Sequence, residues 1–185
     1  MSNVTLVIIA VVVAVVIVVA ALVAFFVSRR RRTQQERQER ARAAYGPEYE
    51  RTVQERGSER EAEKELRERR ERLEDEVRPL SEESRKRYAE RWQGIERTFV
   101  DDPWASLEEA DQVVADILAE RNFPTDSRQE ASRGVGVMHP QVVEDFREAQ
   151  RVHRDATGSE GEADLEEMRR AIQMYRSVYE RLTGG

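Results

Sequence analysis

The chain has 185 residues, 37% of them charged and only 6% aromatic, with a formal net charge of −6. It has no Cys, which excludes disulfides, thiolate metal sites and a cysteine nucleophile. Glu, Arg, Ala, Gln and Leu dominate, while Gly and Pro are few, so the soluble part reads as charge-rich helix and not as a β-sandwich.

Residues 1–5 form a short uncharged N-terminus. Leu6 to Val27 follows with only Val, Ile, Leu, Ala and Phe. As a helix this run is about 33 Å long, enough for a hydrocarbon core of roughly 30 Å. Insertion is favoured by about 5–10 kcal/mol on a biological transfer scale. No Lys or Arg precedes the run and no small-residue cleavage site follows it, so it predicts an uncleaved transmembrane helix and not a signal peptide.

Arg29, Arg30, Arg31 and Arg32 come next. Positive charges flanking a span stay on the cytoplasmic side, so the sequence predicts an outside N-terminus and a cytoplasmic body. The same arginines are candidates for binding anionic lipid, at about 1 kcal/mol each near a charged surface. Residues 28–43 hold seven Arg and two Glu; the remainder holds 24 basic and 35 acidic side chains. An acidic body behind a basic collar argues against a nucleic-acid partner.

Thr33 to Tyr45 is polar on nearly every face and is expected to continue the span outward as a solvated rod. Gly46-Pro47 breaks it, Pro47 suits the first turn of a short helix to Arg56, and Gly57 ends that helix. Residues 28–57 thus read as a basic juxtamembrane segment. Ser58 with Glu61 is a capping box opening a charged helix over 58–79, ended by Pro79. Its Ala62, Leu66, Leu73 and Val77 form a thin stripe that Arg69 interrupts. A weak coiled-coil seam, a helix leaning on the body and a fully solvated helix all remain open.

Residues 80–185 are expected to form a bundle of about four helices. Ser81 caps the first, with Tyr88, Trp92, Ile95 and Phe99 on one face. Asp102-Pro103 starts the second, with Leu107, Ala110, Val114, Ile117 and Leu118 inward, and Phe123-Pro124 ends it near Asn122. Thr125 or Asp126 is expected to cap a short turn to Ser132, and Gly134 to Met138 to be a flexible joint. His139-Pro140 starts the third helix, with Val142, Val143, Phe146, Ala149 and Val152 inward, and Thr157 to Gly161 makes a polar turn. The last helix carries Leu165, Met168, Ile172, Tyr175, Tyr179 and Leu182 at regular spacing.

No constellation for chemistry emerges. His139 reads as a helix cap and His153 as a surface residue, and neither has Glu three residues before it, as a di-iron bundle requires. No nucleophile elbow or phosphate-loop pattern is present. No catalytic, metal or cofactor residue is therefore assigned. Trp104, beside Pro103 at a helix start, is the candidate partner contact.

Gly46-Pro47-Glu48-Tyr49, Arg78-Pro79-Leu80, Arg87-Tyr88, Trp92, Phe99-Val100-Asp101-Asp102-Pro103, Ala110-Asp111, His139-Pro140, Val142-Val143 and Phe146-Arg147 resemble the motifs of an uncharacterised family of small single-pass membrane proteins of high-GC Gram-positive bacteria. The resemblance covers roughly residues 45–182 and departs from the family at Gly134 to Met138. It implies the same architecture and supplies no known activity, so no functional residues carry over from it.

The sequence therefore predicts an all-α, single-pass cell-membrane protein with no enzymatic activity and no cofactor. Its cytoplasmic bundle would bind an unknown cytoplasmic or membrane protein. The alternative is a membrane-surface sensor or anionic-lipid-binding protein acting through the collar. A homo-oligomer is conceivable through Ala10/Ala14 and Ala20/Ala24 in the span, or through the stripe at Ala62.

Overall fold

The computed structural model describes Phe25, residues 36–158 and residues 164–184. The protein is all-α, with no strand among the described residues. The helices are α1 (36–45), α2 (Pro47–Arg56), α3 (Glu59–Glu76), α4 (Glu82–Thr98), α5 (Pro103–Glu120), α6 (Arg128–Met138), α7 (Val143–Gly158) and α8 (Leu165–Thr183). The chain divides after Ala41 into two compact units. In the first, Glu36 and Arg40 pair across one exposed turn of α1. The predicted span at Leu6–Val27, apart from Phe25, and the arginines 29–32 lie outside the described residues. Among the described residues, no helix is long and apolar enough to cross a membrane.

In the second unit the helix starts follow capping chemistry. Ser58, Ser81, Asp102, Ser127 and Asp164 each accept a hydrogen bond from a backbone N–H of the following turn. Pro47 and Pro103 occupy first-turn positions where no N–H is required. Gly57 ends α2 in the left-handed region, at φ 67°. α3 stops at Glu76, short of the predicted end at Pro79. Val77 is extended, and the Arg78 N–H bonds to the Arg121 carbonyl instead of continuing the helix.

The stretch around Gly134 is a helix and not a flexible joint. Ser127, not Thr125 or Asp126, caps α6, which runs through Gly134 and Gly136 to Met138. His139 follows the end of α6, and the next helix begins only at Val143. Thr157 and Gly158, expected in a polar turn, still belong to α7. The described residues between 82 and 183 therefore hold five helices where four were expected.

The core of this unit lies among α4 to α8. It includes Trp92, Ile95, Leu107, Val114, Ile117, Phe146, Tyr175 and Leu182. α8 packs on both α5 and α7, and α4 packs on α5. Trp92 stacks on Tyr179 at 4.7 Å, and the Phe146 ring meets Tyr175 edge-on at 6.5 Å. Phe99, predicted to be core, is only half-buried. The helix ends at Thr98 so that the chain can turn towards Asp102, and the Phe99 ring is left under the Arg169 guanidinium. Leu165 is likewise exposed, and α8 turns Ala171, Tyr175, Val178 and Leu182 inward.

α3 is neither solvated nor free to form a seam with another chain. Its Ala62, Leu66 and Leu73 are buried, and the helix packs on α2 and α6. Arg69, which interrupts the stripe, reaches from Glu65 to Glu130 on α6. The stripe proposed for self-association is thus covered within the chain. Residues 42–45 are not a bare rod either: Arg42 pairs with Glu50, and Arg70 lies over the Tyr45 ring.

The two glycines of α6 serve close packing. A Cβ at Gly136 would sit 2.9 Å from Glu48 Oε2 and 3.1 Å from Val143 Cγ2. Glu48 cannot swing aside, because it is 3% exposed and ion-paired to Arg147. Gly134 meets Phe123 and Pro124 at 3.2 Å. Gly94 in α4 has nothing within 4 Å of its Cβ position.

Two predictions follow from this packing, both readable in urea melts. Gly94→Ala should stabilise by about 0.5–1 kcal/mol through helix propensity, whereas Gly136→Ala should destabilise by about 1–3 kcal/mol through overpacking. Leu107→Ala should cost about 2–5 kcal/mol as a cavity in the core, while Phe99→Ala should cost under about 1 kcal/mol.

Candidate functional site at Trp104, His153 and Asp111

Trp104, Glu108 and Asp111 are spaced i, i+4, i+7 along α5, so they share one face. That face meets α7. The Trp104 ring stacks on His153, with centroids 5.7 Å apart and planes 3° from parallel. The stack covers one face of the indole and leaves Trp104 37% exposed. His153 is buried, contrary to its expected surface position. Its Nε2 lies 2.6 Å from Glu108 Oε2 and its Nδ1 lies 3.8 Å from Asp111 Oδ2. A carboxylate only accepts, so Nε2 carries the proton that faces Glu108.

Asp111 is the centre of the cluster. It accepts a 2.6 Å hydrogen bond from the Tyr175 hydroxyl of α8. Arg128, in the first turn of α6, donates to both its oxygens at 2.8 and 2.9 Å. This two-pronged geometry is the strong form of an Arg–carboxylate pair. Burial first, and then the Asp111 charge, push the Tyr175 hydroxyl far above the ordinary tyrosine range, so it stays a neutral donor. Asp111 thereby joins α5 to α6 and α8, with the His153 ring of α7 beside it.

The arrangement fixes helices and orients an indole. Among the described residues, no group of three or more His, Asp or Glu is arranged to hold a metal ion. Glu108 holds Nε2 of the His153 ring, while the buried Nδ1, 3.8 Å from Asp111, has no hydrogen-bond partner among the described residues.

Trp104 thus lies where the sequence placed it, at a helix start and partly outward. Arg29 to Arg32 lie outside the described residues. His153 was missed, although it continues the stripe of Phe146, Ala149 and Ala156 at helical spacing, and that periodicity could have found it. Tyr175 was assigned to the core by its spacing, but its bond to Asp111 is not visible from spacing.

Three comparisons, with family models, with curated proteins and with solved structures, find no match for this chain.

Removing the hub should expose its cost. Asp111→Ala should destabilise by about 2–3 kcal/mol, because it leaves a buried hydroxyl without an acceptor and Arg128 without its anion. Tyr175→Phe, which removes only one partner's hydroxyl, should cost about 1 kcal/mol. Chemical denaturation of both variants checks the order, and equal effects would show that Asp111 is not the hub.

Proposed function

We propose that this chain is a single-pass, membrane-anchored, non-enzymatic protein whose helical body docks another protein at one end of the bundle. The observation that carries the docking surface is the group of apolar side chains at that end. Val100 is 84% exposed, Leu165 48% and Trp104 37%. They belong to one region of the fold. The Phe99 ring under Arg169 ties the α4–α5 turn to the first turns of α8, and the Trp104–His153 stack ties it to the last turns of α7.

An aromatic side chain held in place before binding loses little conformational freedom on binding. Trp is also among the residues most enriched at the energetic centres of protein interfaces. Trp104 meets both conditions through its stack on His153. The membrane anchor is Leu6 to Val27, with the body on the cytoplasmic side of the arginines 29–32. The resemblance to small single-pass membrane proteins supports the same placement.

A second reading is favoured by the unbroken run Arg29 to Arg32: a surface sensor that gathers anionic lipid through this collar. It requires no surface on the body, so the two readings separate experimentally.

A photo-crosslinking residue at Val100, in the intact chain in its native membranes, should give one discrete protein adduct. Trp104→Ala should reduce that adduct at least about tenfold, equivalent to 1.4 kcal/mol or more. The same probe at Glu68, exposed on α3, should not give it. An adduct that forms equally from Glu68, or that survives Trp104→Ala, would remove the docking surface. Deleting residues 1–27 should release the body from the membrane fraction, and a body that stays bound would remove the anchor.

A further inference from the structure

At the opposite end of α5 and α8 lies a second feature with a different chemistry. The segment Pro79-Leu80, the end of α5, His139 and the end of α8 enclose a cleft of about 420 Å³. In a chain with 37 acidic side chains, no Asp or Glu among the described residues lines it. Its charged lining consists of Arg85, Arg121 and Arg181, with His139 between them.

Arg121 and Arg85 are held by neutral groups. Arg121 donates from Nε to the Arg78 carbonyl at 3.1 Å and from Nη1 to the Leu182 carbonyl at 2.8 Å. Arg85 donates to the Leu80 carbonyl at 3.1 Å. Arg181 makes no ion pair among the described residues. Arg121 is half-buried, and burial pulls its pKa below the ordinary arginine value. A guanidinium withdrawn from water with no countercharge is costly, and a bound anion would offset that cost.

His139 supplies an independent observation. Both its ring nitrogens are buried, and neither has a hydrogen-bond partner among the described residues. Buried polar atoms without partners are rare in folded proteins. Burial first, and then the charges of Arg121 and Arg181, lower its pKa to about 4. The ring is thus neutral near pH 7, with one N–H to donate. The carbonyls at the end of α8 oppose an anion, but Arg121 already covers the one at Leu182.

We propose that this cleft binds a phosphate-bearing anion, with Arg85, Arg121 and Arg181 holding its oxygens and a ring N–H of His139 donating to it. Three guanidinium groups suit a tetrahedral, multiply charged oxyanion better than a single carboxylate. The volume falls within the range of small-ligand sites, so the phosphate has room for a substituent. A free phosphate compound and a lipid headgroup share this chemistry. Pro140, the residue after His139, packs against Gly46, which follows the basic collar in sequence.

The test uses the full chain, labelled with nitrogen-15 at histidine, in a neutral detergent. Inorganic phosphate should shift the His139 ring signals with a Kd of roughly 10 μM to 1 mM, at constant ionic strength set with chloride. His153 is the internal control and should not move. Bound phosphate counters the fields of Arg121 and Arg181, the cations that act on the ring, so the His139 titration midpoint should rise. The double variant Arg85→Gln, Arg181→Gln changes two exposed side chains and should weaken binding at least about tenfold.

Phosphatidylcholine vesicles with and without phosphatidate make the second arm. A response to phosphatidate but not to inorganic phosphate assigns the site to a lipid headgroup, and the converse assigns it to a free phosphate compound. No His139 response in either arm, an equal response to citrate, or a response unchanged in the double variant overturns the proposal.

Discussion

The fold of residues 42–184 depends on a carboxylate that has to be paired. Glu48 is almost completely buried, and leaving a charge there without a partner would cost several kcal/mol. Arg147 of α7 supplies the partner across the face of α6. That one ion pair sets several local requirements. α6 must carry no side chain at position 136, because the Glu48 carboxylate occupies the space. The chain must turn at Gly46 with φ 52°, tight against Pro140, to aim Glu48 inward. Arg147 must stand one residue after the core Phe146, so that one side chain enters the core while the next reaches Glu48.

This geometry gathers several of the sequence motifs into one place. Gly46-Pro47-Glu48-Tyr49, Gly136, His139-Pro140 and Phe146-Arg147 are distant in sequence, yet Gly46 touches Pro140 and Glu48 touches both Gly136 and Arg147. A second set is gathered by Asp111, which collects Tyr175 and Arg128 from α8 and α6. Asp111 satisfies both the neutral Tyr175 hydroxyl and the charged Arg128, which ties three helices together, while the buried Nδ1 of His153 beside it has no hydrogen-bond partner among the described residues.

Most of the helices were legible, because capping residues and apolar spacing are local signals. Ser58, Ser81 and Asp102 open helices where the sequence placed them, and Gly57 closes one. α6 was not legible for a physical reason. Two glycines in five residues weaken a helix by about 2 kcal/mol in isolation, and the packing that repays this comes from Glu48, Phe123 and Val143. None of those is visible in a short window. The candidate site divides the same way. Trp104 was found from its place at a helix start. The burial of His153 lay within reach of the α7 periodicity, but its partners were not legible, because they stand 42 to 49 residues earlier, on α5.

The way α3 is attached has a consequence for how the body opens. It presents only Ala62, Leu66 and Leu73 to its neighbours as buried apolar side chains, and much of the rest of its attachment is polar: the ion pairs Arg56–Glu65 and Arg69–Glu130, the Arg70 guanidinium over the Tyr45 ring, and a hydrogen bond from Asn122 to the Glu76 carbonyl. Partly exposed ion pairs weaken as salt rises, while the apolar core among α4 to α8 does not. The body therefore has two levels of cohesion. In strong salt α3 is expected to exchange its amide protons with water before the five C-terminal helices do. Ionic strength alone can thus loosen the segment joining residues 42–56 to the rest, and leave the surface around Trp104 in place.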